Sequence, residues 1–194
     1  MLFTEKILEG DKVRLVPLSK THQPELLAAA QDGKLWELWF TSVPRADTIE
    51  AYLAKTLAEK EQGLSFPYAV VEKTTGTVIG TTRYCNIDAA NRRLEVGYTW
   101  YAKSSQRTGV NTECKYLLLR HAFEHLVCIA VEFRTNWFNV NSRNAILRLG
   151  AKQDGVLRNH RIDGKGVMRD TVVFSIIASE WPAVRKSLAF KLSR

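Results

Sequence analysis

The spacing of apolar positions changes repeatedly along the chain, and each change predicts an element. Val13 and Leu15 flank Arg14 in a short strand over 13–17, stopped by Pro17. Residues 23–31 and 46–61 read as helices. Pro24 lies in the first turn of the first, and Ile49, Tyr52, Leu53, Thr56 and Leu57 share one face of the second. Strands over 67–72 and 78–86 flank a turn with Gly76, and a second turn at 88–91 leads into a strand from Arg93. In that strand Leu94, Val96, Tyr98 and Trp100 alternate with Glu95, Gly97, Thr99 and Tyr101. From Val110 the step becomes helical through Cys114, Leu117, Leu118, His121, Ala122 and His125, which puts both histidines on the buried face. A strand over 128–135, a helix over 141–149 ended by Gly150, a hairpin of 155–160 with 170–177, and a tail helix over 180–188 complete the chain.

This order predicts one domain across residues 1–194 with an α+β, mixed and mostly antiparallel sheet carrying helices on both faces. The strand–helix–strand unit through residues 94–135 supplies one parallel junction in its middle. No apolar run is long enough for a membrane span, and the acid-bearing amino terminus does not read as a secretory signal. Cys85, Cys114 and Cys128 are widely spaced, which suggests reduced, buried thiols in a cytoplasmic protein, without a disulfide frame or a zinc site.

Charge adds an asymmetry. The net charge is +8, and from residue 101 onward 16 Lys and Arg face 7 Asp and Glu. Such a half could meet an acidic surface, a phosphorylated small molecule or nucleic acid, although no basic run forms a nucleic-acid arm. The chemistry concentrates between the central strand and the long helix, where 104–109 form a polar turn with one arginine and one glycine. A strand emptying into such a turn at a helix start offers free N–H groups and the positive dipole end to an anion. Neither a P-loop nor a dinucleotide fingerprint is present. The aromatic stretch Trp36, Trp39 and Phe40 reads either as packing between the first two helices or as a wall of an acceptor pocket.

Gln106-Arg107-Thr108-Gly109-Val110-Asn111 resembles the Q/R-x-x-G-x-G/A signature of the GNAT superfamily of acetyl-CoA-dependent N-acetyltransferases. Asn139-Val140-Asn141-Ser142, followed by Leu149-Gly150-Ala151, is similar to the N-x-x-S segment of its RimJ/RimL-like branch. The element order matches that fold from about Lys12 onward. Asn111 departs from the small residue usual at the last signature position.

The resemblance implies acetyl-CoA as donor, no metal, and direct attack by a primary amine in a ternary complex. The amides of Arg107 to Asn111 would cradle the pyrophosphate, with Gly109 allowing close approach and Lys103, Arg107 and Arg143 adding charge. Tyr98, Thr99, Trp100 and Tyr101 would meet the pantetheine arm beside a bulge at Gly97, where a free N–H could receive the thioester oxygen. Glu95 would be the general base, and Ser142 the general acid, because Ile146 stands where many members keep a tyrosine. Asn139 would bond the arm or orient Ser142. Glu95 as a structural partner of Arg83, Arg92 or Arg93, and Ser142 as a helix cap, are the competing readings. Arg158 and His160, in the closing hairpin where the RimL-like enzymes carry a glutamate, would favour an acceptor with a carboxylate or phosphate beside its amine, with Trp36 and Phe40 as further acceptor contacts. A non-catalytic CoA sensor is the rival class. The tryptophan-rich segment or the tail could support a homodimer.

Overall fold

Strands β3 (Ser65–Glu72), β4 (Val78–Asp88) and β5 (Arg93–Tyr101) form the expected meander in the computed structural model, which describes residues 6–194. β2 (Val13–Pro17) pairs with β3, and the two-residue β1 (Leu8–Glu9), too short for any periodicity to reveal, pairs with β2. Beyond β5 lie β6 (Ala130–Asn136), β8 (Met168–Ile177) and β7 (Lys152–Ile162), so the order is β1-β2-β3-β4-β5-β6-β8-β7. Every neighbouring pair is antiparallel except β5 and β6. That parallel junction is the one the crossover through α3 (Val110–Glu124) requires.

The helices divide between the two faces. α3 and α5 (Trp181–Leu192) cover one face, over a core that includes Leu15, Tyr84, Leu94, Val131 and Phe174. On the other, α1 (Gln23–Gln31) and α2 (Ile49–Glu61) pack over Leu18, Ala69 and Val78. α2 begins three residues later than its apolar pattern, because 45–48 form a turn in which Thr48 Oγ1 accepts the Arg45 amide at 3.0 Å. α4 (Val140–Leu149) follows β6.

One buried carboxylate ties the amino-terminal strands to α3. Glu113 accepts the backbone N–H groups of Asp11, Lys12 and Val13 at 2.9, 2.8 and 2.8 Å. Charge-assisted bonds of this kind contribute roughly 1.5–3 kcal/mol each when a partner would otherwise be stranded.

All three cysteines are free and buried. Burial pushes the Cys114 thiol up to about 12 and Cys128 to about 11, so neither offers a thiolate near neutral pH. The two histidines of α3 do not share a buried face. His121 stacks on Tyr84 in the core, where burial lowers it to about 4, whereas His125 ends the helix in solvent. Among the described residues no helix is long and apolar enough to cross a membrane.

Candidate active site

The central strand is broken where the site begins. Thr81 pairs with Trp100 but Arg83 with Gly97, so Tyr98 and Thr99 together oppose Thr82. This is a β-bulge, and its left-handed residue is Tyr98 (φ +51°), not the expected Gly97. The Arg83 guanidinium, which lies 4.3 Å from the Tyr98 ring and also meets the Tyr52 ring of α2, stacks on the displaced side chain. The extra residue inverts the alternation beyond it. Thr99 and Tyr101 join Leu94 and Val96 on the α3 face, while Trp100 packs with the α1–α2 clusters. Tyr101 is therefore a core side chain, and its carbonyl accepts Gln106 Nε2 at 3.1 Å.

Gly97 has a different reason to be glycine. A Cβ there would stand 2.8 Å from Glu95 Oε1, in the space the carboxylate occupies.

β5 and β6 pair only at Arg93 with Ala130, Leu94 with Val131 and Glu95 with Glu132. Beyond Glu95 they part, leaving a slot between the remainder of β5 and 133–136 of β6. Asn136, 4% exposed at the end of β6, keeps its Nδ2 without a partner among the described residues. The slot leads to the start of α3. Gly109 caps that helix at φ +93°, Arg107 is left-handed at φ +65°, and Thr108 Oγ1 bonds the Ser105 carbonyl at 2.7 Å. Among the described residues the amides of 107–111 have no protein acceptor. Donors pointing out of a helix start, with no side chain at Gly109, fit a diphosphate.

Two residues at this end escaped the sequence reading. The Lys12 side chain passes Gly109, its Cε 3.5 Å from where a Cβ would be, because Glu113 holds the 11–13 backbone there. Arg148 of α4 reaches Thr112 Oγ1 at 3.0 Å. Neither lies near the signature in sequence. By contrast, two expected charges are turned elsewhere. Arg143 stacks at 4.3 Å on Trp137 and donates to its carbonyl, and the Lys103 side chain packs against Gly33.

Glu95 stands where the strands diverge and is 6% exposed. Its partners are Asn86 Nδ2 at 2.7 Å and Arg134 Nε at 3.6 Å, not Arg83, Arg92 or Arg93. Arg83 pairs with Glu59 of α2 instead, and Arg93 with Glu132. Burial raises the Glu95 carboxyl above its ordinary value, against the opposing pull of the Asn86 hydrogen bond and the Arg134 charge. A desolvated carboxylate held by a single amide and a more distant guanidinium retains proton affinity.

At the opening of α4, Asn139 is the N-cap. Its Oδ1 accepts the Ser142 amide at 3.0 Å, so Ser142 is not the cap. The Ser142 hydroxyl has no protein partner among the described residues, and Ile146 lies buried one turn further on.

The expected acceptor residues separate. Trp36, partly buried, packs against the cluster of Ala30, Leu35 and Val43, as Trp100 does. Phe40 edges onto Trp39, which is 61% exposed and meets the equally exposed Phe138 of the β6–α4 loop at 5.7 Å. That contact joins segments about a hundred residues apart, a pairing that periodicity does not encode. Arg158 pairs with Asp170 at 2.5 Å, and His160 Nδ1 meets Thr171 Oγ1 at 3.0 Å, across a bulge of β7 with Asn159 left-handed. Desolvation, then Arg161, Arg134 and Arg169, lower the His160 imidazole. A cavity of about 680 Å³ opens over β6, β7 and β8, lined by Arg93, Glu132, Arg134, Asp154, Leu157 and Ser175 among others; Glu95 is not in its lining and meets it only through Arg134.

A strand pair that splays below a buried carboxylate, and opens onto unbonded amides at a helix start, defines an acyl-CoA-type transferase fold. Residues 12–152 match the acetyltransferase (GNAT) domain model, and the chain belongs to that family of N-acetyltransferases. It is similar to a GCN5-related N-acetyltransferase from Brucella melitensis, 32% identical with a TM-score of 0.87, over 96% of this chain and 85% of that one. In sequence it is 28% identical to the Bacillus subtilis (strain 168) protein named "Putative ribosomal N-acetyltransferase YdaF", over 93% of this chain and 98% of that one. The fold is shared with RimL, the ribosomal L7/L12 alpha-N-protein acetyltransferase, at TM-score 0.78 and 16% identity over 89% of this chain and 94% of that one. These relatives agree with the RimJ/RimL-like branch.

Proposed function

We propose that the protein transfers an acetyl group from acetyl-CoA to a primary amine by direct attack in a ternary complex. The observation that carries this reading is the parting of β5 from β6 immediately beyond Glu95 and Glu132, which sets a desolvated carboxylate at the head of a slot ending on free amides. Acetyl-CoA supplies an activated thioester and a diphosphate handle. The amides of 107–111 hold the diphosphate at the positive end of α3, and the free edge of β5 beyond Gly97 lines the arm.

Glu95 takes a proton from the acceptor, directly or through one water, because only a neutral amine has the lone pair to attack. Its raised affinity for protons suits that task, and Asn86 and Arg134 fix its orientation. A backbone N–H on the edge of β5 beyond Glu95, where β6 no longer pairs with the strand, meets the developing oxyanion. Ser142, its amide pinned by Asn139 and its hydroxyl unengaged, protonates the departing thiolate in place of the tyrosine that Ile146 replaces.

The acceptor enters over the face that carries Arg134, Arg161 and His160, whose combined field favours an anionic group next to the amine. A small molecule, an amino acid or a protein N-terminus meets that description. A CoA sensor is the second reading, favoured by the aliphatic side chain at Ile146. Both readings require CoA binding, measurable by calorimetry. Incubation with acetyl-CoA and a panel of amines, amino acids and peptides then separates them. Free thiol and an acetylated acceptor support transfer, whereas tight CoA binding with no acetylated product from any acceptor supports the sensor.

A further inference from the structure

Lys115 lies in the second turn of α3 with its ammonium inside the molecule, 6% exposed. It donates to Thr99 Oγ1 at 2.5 Å and Thr82 Oγ1 at 3.2 Å, and those two hydroxyls stand 2.7 Å apart. No carboxylate pairs with it among the described residues, since the adjacent Glu113 is turned to the 11–13 amides. Desolvation brings its pKa down to about 8, and the titratable groups facing it are the neutral thiols of Cys114 on its own helix and Cys85 on β4. Burying an ammonium costs several kcal/mol, and an apolar side chain of similar volume would fill the space without that cost. Packing alone therefore does not explain a lysine here.

Its partners explain it. Thr99 is the second residue of the bulge, following the left-handed Tyr98 and preceding the Trp100–Thr81 pair at which regular pairing resumes, and Thr82 is the residue opposite the bulge. The Thr99 hydroxyl also approaches the Gly97 carbonyl at 3.4 Å. Lys115 thus clamps both sides of the irregularity from beneath, through the bulge's own Thr99, whose side chain is turned toward α3, and through Thr82 opposite it.

We infer that Lys115 is a positioning residue for the donor: through Thr99 and Thr82 it holds the β5 bulge in the form that lays the free edge beyond Gly97 along the slot. The inference rests on acetyl-CoA occupying that slot. The clamp acts on the part of the slot that meets the pantetheine arm and leaves the helix start, where the phosphates lie, untouched. A merely structural lysine has no reason to distinguish those two halves of one ligand.

Calorimetry on the full chain with two probes reads this difference: CoA, and adenosine 3′-phosphate 5′-diphosphate, the nucleotide half without the arm. Lys115→Gln and Thr99→Val are each expected to weaken CoA about tenfold and to leave the nucleotide within about twofold. The double variant should lose little more than the worse single, because both remove one contact, and Thr99→Ser should restore wild-type affinity. Thr99→Val carries the test from the strand side should the lysine variant fail to fold. Unchanged CoA affinity in Thr99→Val, or a parallel loss of both probes, overturns the inference. A wild-type chain that binds neither probe overturns the acetyl-CoA reading along with it, whereas wild-type binding with unaltered variants removes only the role of Lys115.

Discussion

The two ends of the site are built in opposite ways. The donor end is made of backbone from one continuous stretch, in which β5, a short turn and the start of α3 follow one another. Its amides are left open for a ligand. The acceptor end is made of side chains from β4, β5, β6, β7 and β8, and most of its charges already have partners: Arg93 and Arg134 with Glu132, Arg158 with Asp170, Arg134 also with Glu95. A backbone cradle depends on conformation and tolerates changes of side chain. A network of paired side chains depends on each member, and it can be retuned for a new acceptor without disturbing the donor.

The sharpest way to separate the two ends is Glu95→Gln. The variant should lower the acetylation rate by about a hundredfold while leaving CoA affinity unchanged, as read by steady-state kinetics and calorimetry together. In the wild type the rate should rise with pH through the raised pKa of Glu95, and the variant should lose that limb. Stability carries the opposite sign. A carboxyl whose folded pKa is raised stabilises the fold below its unfolded pKa, and that contribution is lost as pH climbs through the folded value. Thermal melts at neutral pH should therefore show Glu95→Gln slightly more stable than wild type.

Gly109→Ala tests the donor end alone. A side chain at φ +93° strains the cap and intrudes where a diphosphate approaches, so CoA affinity should fall about thirtyfold, with acceptor preference unaltered. Glu113→Ala would break the tie between α3 and the amino-terminal strands, stranding three amides. The expected loss is about 3 kcal/mol, a fall in Tm of roughly 6–12 °C by calorimetric scan. Arg134→Met should act at the acceptor end by removing a charge that favours ionised Glu95. The pH–rate limb should move upward and the rate at neutral pH should drop several-fold. Arg158→Ala should do least, below about twofold in acceptor KM, because that guanidinium is exposed and already held by Asp170.

The same contrast explains what could be read from the residues. The donor end was legible because its signals are local: alternation up to Val96, a turn around Gly109, helical spacing from Val110. The crossover rule then set β5 and β6 parallel. The sequence marks the bulge at Gly97, since glycine is the usual sign of a left-handed bulge, but the left-handed residue is Tyr98, on whose ring the Arg83 guanidinium stacks. Simple alternation therefore puts Thr99, Trp100 and Tyr101 on the wrong faces of β5 and hides the Thr99–Lys115 contact. Of the two readings open for Ser142, general acid or cap of α4, the structure removes the cap, because Asn139 occupies that position. Contacts such as Glu95 with Asn86 and Arg134, or Trp39 with Phe138, join residues on separate elements, and their pairing emerges only when the sheet order is known.

A crystal structure of the chain with CoA would test the donor slot most directly. The expected result places the diphosphate within hydrogen-bond distance of the 107–111 amides, the arm between the parted β5 and β6, and the thiol beside Glu95 and Ser142. CoA bound elsewhere on the surface, with those amides free and the strands unoccupied between them, would contradict it.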